Sequence, residues 1–278
     1  MEFRTPEGRQ RYDGLVAVAR RAVIGLDFDG VLAPIVDDPD AAVIHPDAPD
    51  VLAELARQVL AIAVITGRPA RQVIALGELD ELADRIAADD RRLVLMGQYG
   101  NERWSSASRE VSSPPPPKGL ADLRAELPAL LRDHDAADAF VEEKGLAIAV
   151  HTRRLSDPQA ALDRLRPILA DAAQRHGLGL EPGRFVIEVR APGMHKGEAV
   201  RTIAAELDAG GFLFAGDDLG DVEAFRAVAG LRGSGVPGLL VCSGSQEQKA
   251  LVDLSDIVVD GPAGVLNLLK RFAADAAR

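Results

Sequence analysis

Residues 22 to 30 read Ala-Val-Ile-Gly-Leu-Asp-Phe-Asp-Gly, an apolar stretch that ends in two carboxylates two positions apart and a glycine. On an extended backbone residues i and i+2 share a face, so Asp27 and Asp29 can enter one site where a buried strand reaches water. One carboxylate can hold a hard cation through oxygen and attack an electrophile while the other moves a proton. The competing reading is an acidic turn at a strand end, because Asp and Gly are ordinary turn formers. A second acidic group, Gly216-Asp-Asp-Leu-Gly-Asp, follows the apolar Phe212-Leu-Phe-Ala and brings Asp217, Asp218 and Asp221 to another strand end. Such residues also cap and charge the first turn of a helix, and Val222 to Leu231 has a helical pattern. Carboxylates pooled without a cation repel and raise one another's pKa; a bound Mg²⁺ removes the conflict. Lys196 and Thr66 complete the set. A phosphate monoester carries close to two negative charges near neutral pH. Mg²⁺ and the Lys196 ammonium would meet that charge, and the Thr66 hydroxyl with nearby backbone N–H groups would orient it. Taken singly, the lysine reads as a solvated surface residue and Thr66-Gly-Arg-Pro as a helix cap.

Elements that place these turns together follow from the hydrophobic pattern. Short apolar runs at Ala22 to Leu26, Ala61 to Ile65, Leu93 to Met96, Gly211 to Ala215, Leu239 to Cys242 and Ile257 to Val259 alternate with helical segments, which predicts βα units and a mostly parallel sheet. Three of the runs end in the loaded turns at Asp27, Thr66 and Gly216, and open parallel sheets bind ligands beyond the carboxyl ends of their strands. The middle of the chain differs. Ser112-Ser-Pro-Pro-Pro-Pro-Lys is a stiff linker and Ala191-Pro-Gly a second break, with about 80 residues between them, enough for a small domain. That stretch predicts a helix striped by Leu120, Leu123, Leu127 and Leu130 and bent or broken near Pro128. It also predicts a strand from Leu146 to Arg153, a helix opened by Ser156-Asp-Pro with Leu162, Leu165 and Leu169, and a strand from Arg184 to Arg190. In the last strand Phe185, Ile187 and Val189 face one way and Arg184, Val186, Glu188 and Arg190 the other. The expected fold is α/β, a Rossmann-like core with a parallel sheet plus an inserted α+β cap domain crossed by two hinge-like linkers.

Composition narrows the function classes. At 278 residues and 47% hydrophobic the chain can bury a large core, and a net charge of -11 repels nucleic-acid phosphates. The one cysteine, Cys242, sits in an apolar run and has no partner for a disulfide within the chain. The first 21 residues contain no signal-peptide core and no apolar run reaches membrane-spanning length. The reading is a cytoplasmic protein with a small anionic substrate and neither a nucleic-acid nor a membrane partner.

Asp27-Phe-Asp-Gly, Thr66, Lys196 and Gly216-Asp-Asp-Leu-Gly-Asp, in this order, resemble the four motifs of the haloacid dehalogenase (HAD) superfamily of phosphohydrolases. Within it the chain is most similar to the trehalose-6-phosphate phosphatase family, nearly end to end. Asp27-Phe-Asp-Gly-Val-Leu-Ala-Pro-Ile looks like that family's first motif, and Gly97-Gln-Tyr-Gly-Asn-Glu resembles its Gly-x-His/Tyr-Gly element. Val141-Glu-Glu-Lys-Gly-Leu-Ala-Ile-Ala-Val-His-Thr-Arg resembles its Glu-x-Lys and Val-His-x-Arg segment, and Gly183-Arg-Phe-Val-Ile-Glu its Gly-Lys-x-x-x-Glu. The resemblance implies a HAD core over residues 1–112 and 193–278 with a cap over 113–192. It implies Mg²⁺-dependent hydrolysis of trehalose 6-phosphate to trehalose and phosphate, the last step of trehalose biosynthesis. Asp27 would form an aspartyl-phosphate, Asp29 would serve as acid and then base, and Thr66 and Lys196 would complete the catalytic set. Metal would be held by Asp27, the backbone carbonyl of Asp29, and Asp217, with Asp218 and Asp221 in support. Arg68, Glu142, Lys144, Arg153, Arg184 and Glu188 would bind substrate.

Val31, Gly220, Val222 and Arg184 depart from the family pattern, which usually has Thr, Thr, Glu and Lys. Strict alternation also puts Lys144 on the opposite face from His151 and Arg153 unless Gly145 introduces a twist or bulge, and His151 reads as structural. Rival readings are a HAD phosphatase for sucrose 6-phosphate or a glycosyl phosphate, a sugar-phosphate mutase, and a non-catalytic sugar-phosphate-binding regulatory subunit. A trehalose-phosphate synthase is a possible functional partner; its domain is not present within the chain.

Overall fold

The computed structural model describes residues 2–36, 38–87, 92–183, 185–244 and 249–278. In chain order the strands are β1 (Glu2–Phe3), β2 (Ala22–Leu26), β3 (Ala61–Ile65), β4 (Arg92–Gly97), β5 (Glu102–Ser105), β6 (Phe140–Glu143), β7 (Ala147–His151), β8 (Gly179–Gly183), β9 (Val186–Arg190), β10 (Gly211–Gly216), β11 (Gly238–Ser243) and β12 (Ile257–Val259). The helices are α1 (Pro6–Ala17), α2 (Ala48–Ala56), α3 (Ala70–Leu76), α4 (Leu79–Ala87), α5 (Lys118–Asp133), α6 (Pro158–Arg175), α7 (Lys196–Glu206), α8 (Val222–Gly233), α9 (Lys249–Leu254) and α10 (Gly261–Ala276). The chain divides into two compact units, Met1–Ser113 with His195–Arg278, and Pro114–Met194.

The first unit is built on an eight-stranded sheet in the order β1-β12-β11-β10-β2-β3-β4-β5. Pairing is parallel from β12 through β4 and antiparallel at both edges, where β1 joins β12 and β5 joins β4. Successive side chains of each strand go to opposite faces, and both faces are covered. Ile24, Leu26, Ile62, Val64, Leu213 and Ala215 pack with α1, α2, α3, α4 and α10; Val23, Ala63, Ile65, Phe212 and Phe214 pack with α7 and α8. Strands buried on both sides have no reason to alternate, which is why all six apolar runs in the sequence are strands. The two edge strands carry Glu2-Phe and Glu102-Arg-Trp-Ser and give no such signal, because an edge presents one side to water.

In the second unit the sheet order is β6-β7-β9-β8, antiparallel throughout. Ile148, Val150, Ile187 and Val189 turn towards α5 and α6. α5 runs unbroken from Lys118 to Asp133 with Pro128 inside it and buries Leu120, Leu123, Leu127 and Leu131. The expected fourth position, Leu130, packs only partly against this core, since at 3.6 residues per turn a position eleven residues on returns to the starting face and one ten residues on does not. α6 opens as expected, with the Asp157 carboxylate accepting from the Ala160 N–H at 3.0 Å. Arg184 lies outside the described residues.

The other face of this sheet is polar, and its register overrules the strict count that separated Lys144 from His151. Phe140 stands opposite His151, Glu142 opposite Ala149, and Ala149 opposite Glu188. Residues 140 to 151 form a hairpin and not one strand: the Lys144 N–H bonds the Ala147 carbonyl at 2.9 Å and Gly145 takes φ +81° between them. A left-handed turn residue, open to glycine at little cost, resets the alternation, so Lys144, His151 and Glu188 share one face.

Candidate active site

Leu26 stands level with Ala215 of β10 and Val64 of β3, so three adjacent parallel strands end together. The residues just beyond them are Asp27, Thr66 and Asp217. Each is held through its own N–H: that of Asp27 bonds the Ala215 carbonyl at 3.0 Å and that of Thr66 the Met96 carbonyl at 3.0 Å, while that of Asp217 donates to Asp221 Oδ2 at 2.9 Å. Asp27, Asp217 and Asp221 each offer a carboxylate oxygen within 4.8 Å of the others. Gly30, at φ +67°, makes room for this convergence, because a β-carbon there would meet Asp217 Oδ2 at 2.3 Å.

The helices supply the counter-charge. Lys196, the first residue of α7, is buried, and its ammonium reaches Asp27 Oδ1 at 2.8 Å and Asp221 Oδ1 at 2.7 Å. Burial opposes its charge, yet Asp221, Asp27 and Asp218 outweigh that and hold the lysine well above its ordinary range. One ammonium cannot balance three carboxylates. Burial pushes Asp27 well up despite Lys196, and Asp221 and Asp217 push it further; burial raises Asp221 in the same way. Asp217, raised by burial and then by Asp218 and Asp221, is pushed up to about 8. An oxygen-only cluster with surplus negative charge fits a hard divalent cation.

Around this centre the structure distributes the expected residues unequally. Asp218 stays outside the cluster: it caps the turn ahead of α8, accepting from the Gly220 N–H at 2.8 Å. Asp29 meets Arg68, whose Nε and Nη2 reach its two oxygens at 2.7 and 2.8 Å, while Nη1 donates to the Pro39 carbonyl at 2.8 Å. Arg68, expected on the substrate, is thus engaged with the second carboxylate of the first motif. The buried Thr66 hydroxyl accepts from the Arg68 N–H at 3.2 Å. Val31 is fully buried in the core beside Leu32, which accounts for an apolar residue where the family usually has Thr.

Two supports were not legible in the sequence. Ser243, at the end of β11, donates to the Gly30 carbonyl at 2.5 Å and so braces the loop that follows Asp27. Gln98 and Tyr99 both take left-handed backbone, φ +48° and +60°; their N–H groups bond the carbonyls of Arg68 and Thr66 at 2.9 Å each. Neither has a spacing signal, although the Gly97 to Glu102 resemblance marked the second.

On the polar face of the second unit, Glu188 is buried between Lys144 Nζ at 2.8 Å and Arg190 Nη1 at 2.6 Å. Burial alone would raise its carboxyl; the two cations prevail and hold it below the usual range. His151 Nε2 lies 2.9 Å from Glu142 Oε2. Arg153 is exposed in the turn after β7.

The family model for trehalose-phosphatase matches residues 25–88 and 127–257. A trehalose-phosphate phosphatase of Mycobacterium tuberculosis is 31% identical over 276 residues, covering 94% of this chain and 63% of that protein. An uncharacterized glycosyl hydrolase of the same organism is 33% identical over 236 residues, 80% of this chain and 17% of its own length. The chain therefore spans less than two thirds of these curated relatives. Among solved structures, the C-terminal domain of a Candida albicans trehalose-6-phosphate phosphatase superposes with a TM-score of 0.71 at 18% identity, covering 98% of each chain, a likeness of fold. With three motifs at the ends of neighbouring strands, the fourth brought to them by Lys196 at the start of α7, and a family model covering most of its length, the chain belongs to the trehalose-phosphatase family of the HAD superfamily.

Proposed function

We propose that this chain is a Mg²⁺-dependent phosphatase that hydrolyses trehalose 6-phosphate to trehalose and phosphate. The observation that carries the reading is the convergence of the Asp27, Asp217 and Asp221 carboxylates beyond adjacent parallel strands, with the Lys196 ammonium on Asp27 and Asp221. When bound, the cation neutralises charge on the phosphoryl group and on the carboxylates that hold it. Asp27 attacks phosphorus, the bond from phosphorus to the sugar oxygen breaks, and Asp29 gives that oxygen its proton. Asp29 then takes a proton from water, whose oxygen attacks the aspartyl-phosphate and releases phosphate with Asp27 restored. Lys196 and the Thr66 hydroxyl hold the phosphoryl oxygens through both steps. Uncatalysed monoester hydrolysis calls for accelerations of up to ~10²¹-fold, which suits a covalent relay inside a dense electrostatic site.

In this reading residues 113–192 form the cap between the two core segments, 1–112 and 193–278. Glu142, Lys144, Arg153, Arg184 and Glu188 recognise the sugar, and Asp218 supports the metal ligands. A trehalose-phosphate synthase is the reaction partner that supplies the substrate, and the setting is cytoplasmic; no helix among the described residues is long and apolar enough to cross a membrane. A panel of sugar phosphates, with and without Mg²⁺, tests the assignment, with Asp27→Asn as control. Mg²⁺-dependent phosphate release preferring trehalose 6-phosphate and lost in Asp27→Asn is expected. Equal turnover of unrelated monoesters, or release that survives Asp27→Asn, refutes it.

A further inference from the structure

Phe140 is an anomaly on the polar face of the second unit. It lies on β6, an edge strand, where charged residues are the usual choice, yet it leaves 46% of a large apolar residue exposed. A lone exposed hydrophobic residue needs no explanation; this one is organised by its neighbours. The Arg154 guanidinium carbon sits 5.2 Å from the ring centroid, and the His151 imidazole lies 5.5 Å away at 41°. His151 is fixed in turn by Glu142 at 2.9 Å. Glu188 stands level with Glu142 across β7, and its carboxylate is held at 2.8 Å by Lys144, two residues further along the same face. The face is therefore a strip that starts at an aromatic ring with a cation above it and runs into fixed carboxylates and an ammonium.

That sequence of groups matches the two faces of a pyranose. Its ring C–H bonds carry partial positive charge and pack against the negative π face of an aromatic ring, while its hydroxyls reach carboxylate, imidazole and guanidinium groups. The strip is also longer than one sugar ring needs: four residues from Phe140 to Lys144 span about 13 Å at ~3.3 Å per residue. We infer that Phe140 and Arg154 form a second sugar subsite, taking one pyranose of a disaccharide phosphate while the Lys144 and Glu188 end takes the other. The inference rests on the phosphatase reading above and adds to it the residues that separate a disaccharide from smaller phosphate esters.

Steady-state kinetics of the parent, Phe140→Ala, Phe140→Trp and Arg154→Ala with trehalose 6-phosphate and with p-nitrophenyl phosphate test it. Phe140→Ala should raise KM for trehalose 6-phosphate about tenfold, the size of a lost aromatic contact, with kcat and the KM for p-nitrophenyl phosphate unchanged. Phe140→Trp should restore the parent KM, and Arg154→Ala should weaken the same substrate alone. An unchanged KM in Phe140→Ala, or equal changes for both esters, overturns the proposal. A parent enzyme that shows no preference for trehalose 6-phosphate refutes the functional reading itself, and this subsite with it, before any variant is compared.

Discussion

Removing the cation should make the protein lose stability as pH rises, and Asp217 sets the size of the effect. Burial, then Asp218 and Asp221, push its carboxyl from 3.8 up to about 8. An acid raised on folding binds more protons in the folded chain than in the unfolded one, so stability is greatest below the unfolded value and declines as pH climbs towards the folded one. At about 1.4 kcal/mol per pH unit, the interval from 3.8 to about 8 amounts to on the order of 5 kcal/mol. A unit of this size shifts by ~2–4 °C per kcal/mol, so the chelated protein should melt ~10 °C lower at pH 8 than at mildly acid pH through this group alone. On the proposed reading Mg²⁺ would displace the proton and reverse the loss, so its stabilising effect should grow with pH. Asp217→Asn keeps the shape and discards the titration. Melting curves of parent and variant at several pH values, with chelator and with Mg²⁺, isolate the contribution. The chelated variant should be the more stable protein at pH 8, should gain nothing from Mg²⁺, and should release no phosphate. A parent whose melting temperature keeps a constant offset from the variant between pH 5 and 8 would refute the reasoning, as would a variant still stabilised by Mg²⁺.

The same charge balance makes Lys196 costly to lose. Lys196→Met strands the two buried carboxylates it holds, Asp27 and Asp221, and urea unfolding at pH 7 should show a loss of about 3–5 kcal/mol together with abolished activity; a variant as stable as its parent would sink the account. Arg68→Lys exchanges a two-point grip on Asp29 for a single mobile ammonium. In the proposed mechanism Arg68 would hold the ionised Asp29 in place between its acid and its base step. Misplacing that carboxyl should lower kcat by roughly 10²-fold with a smaller change in KM, and equal kcat in stopped or steady-state phosphate release would dispose of this role.

Much of the core was legible because its strands are buried on both faces: Ala22 to Leu26 and Ala61 to Ile65 read as unbroken apolar runs, and the carboxylates and hydroxyl follow directly. Chemistry concentrated at strand ends is written locally. What the sequence did not display depends on neighbours distant along the chain. Ser243 acts through a carbonyl more than two hundred positions away, and the two-point contact of Arg68 with Asp29, 39 positions back, has no signal in the sequence. β5, β6 and β8 are short, half-wet strands whose residues answer to pairing partners more than to any period of their own. Lys144 shows the limit of counting, since one glycine in a left-handed turn moved it to the other side of a sheet. Leu130 and Leu131 show it on a helix, where a single position decides which leucine is enclosed.

Gly30 and Asp217 lie nearly two hundred residues apart, yet the absent side chain of one is the space occupied by the carboxylate of the other. Their evolutionary fates are consequently tied. A lineage that enlarges position 30 must shorten or turn away position 217, surrendering one oxygen of the candidate cation cluster in the same event, so the two sites should vary jointly among descendants or hold still together.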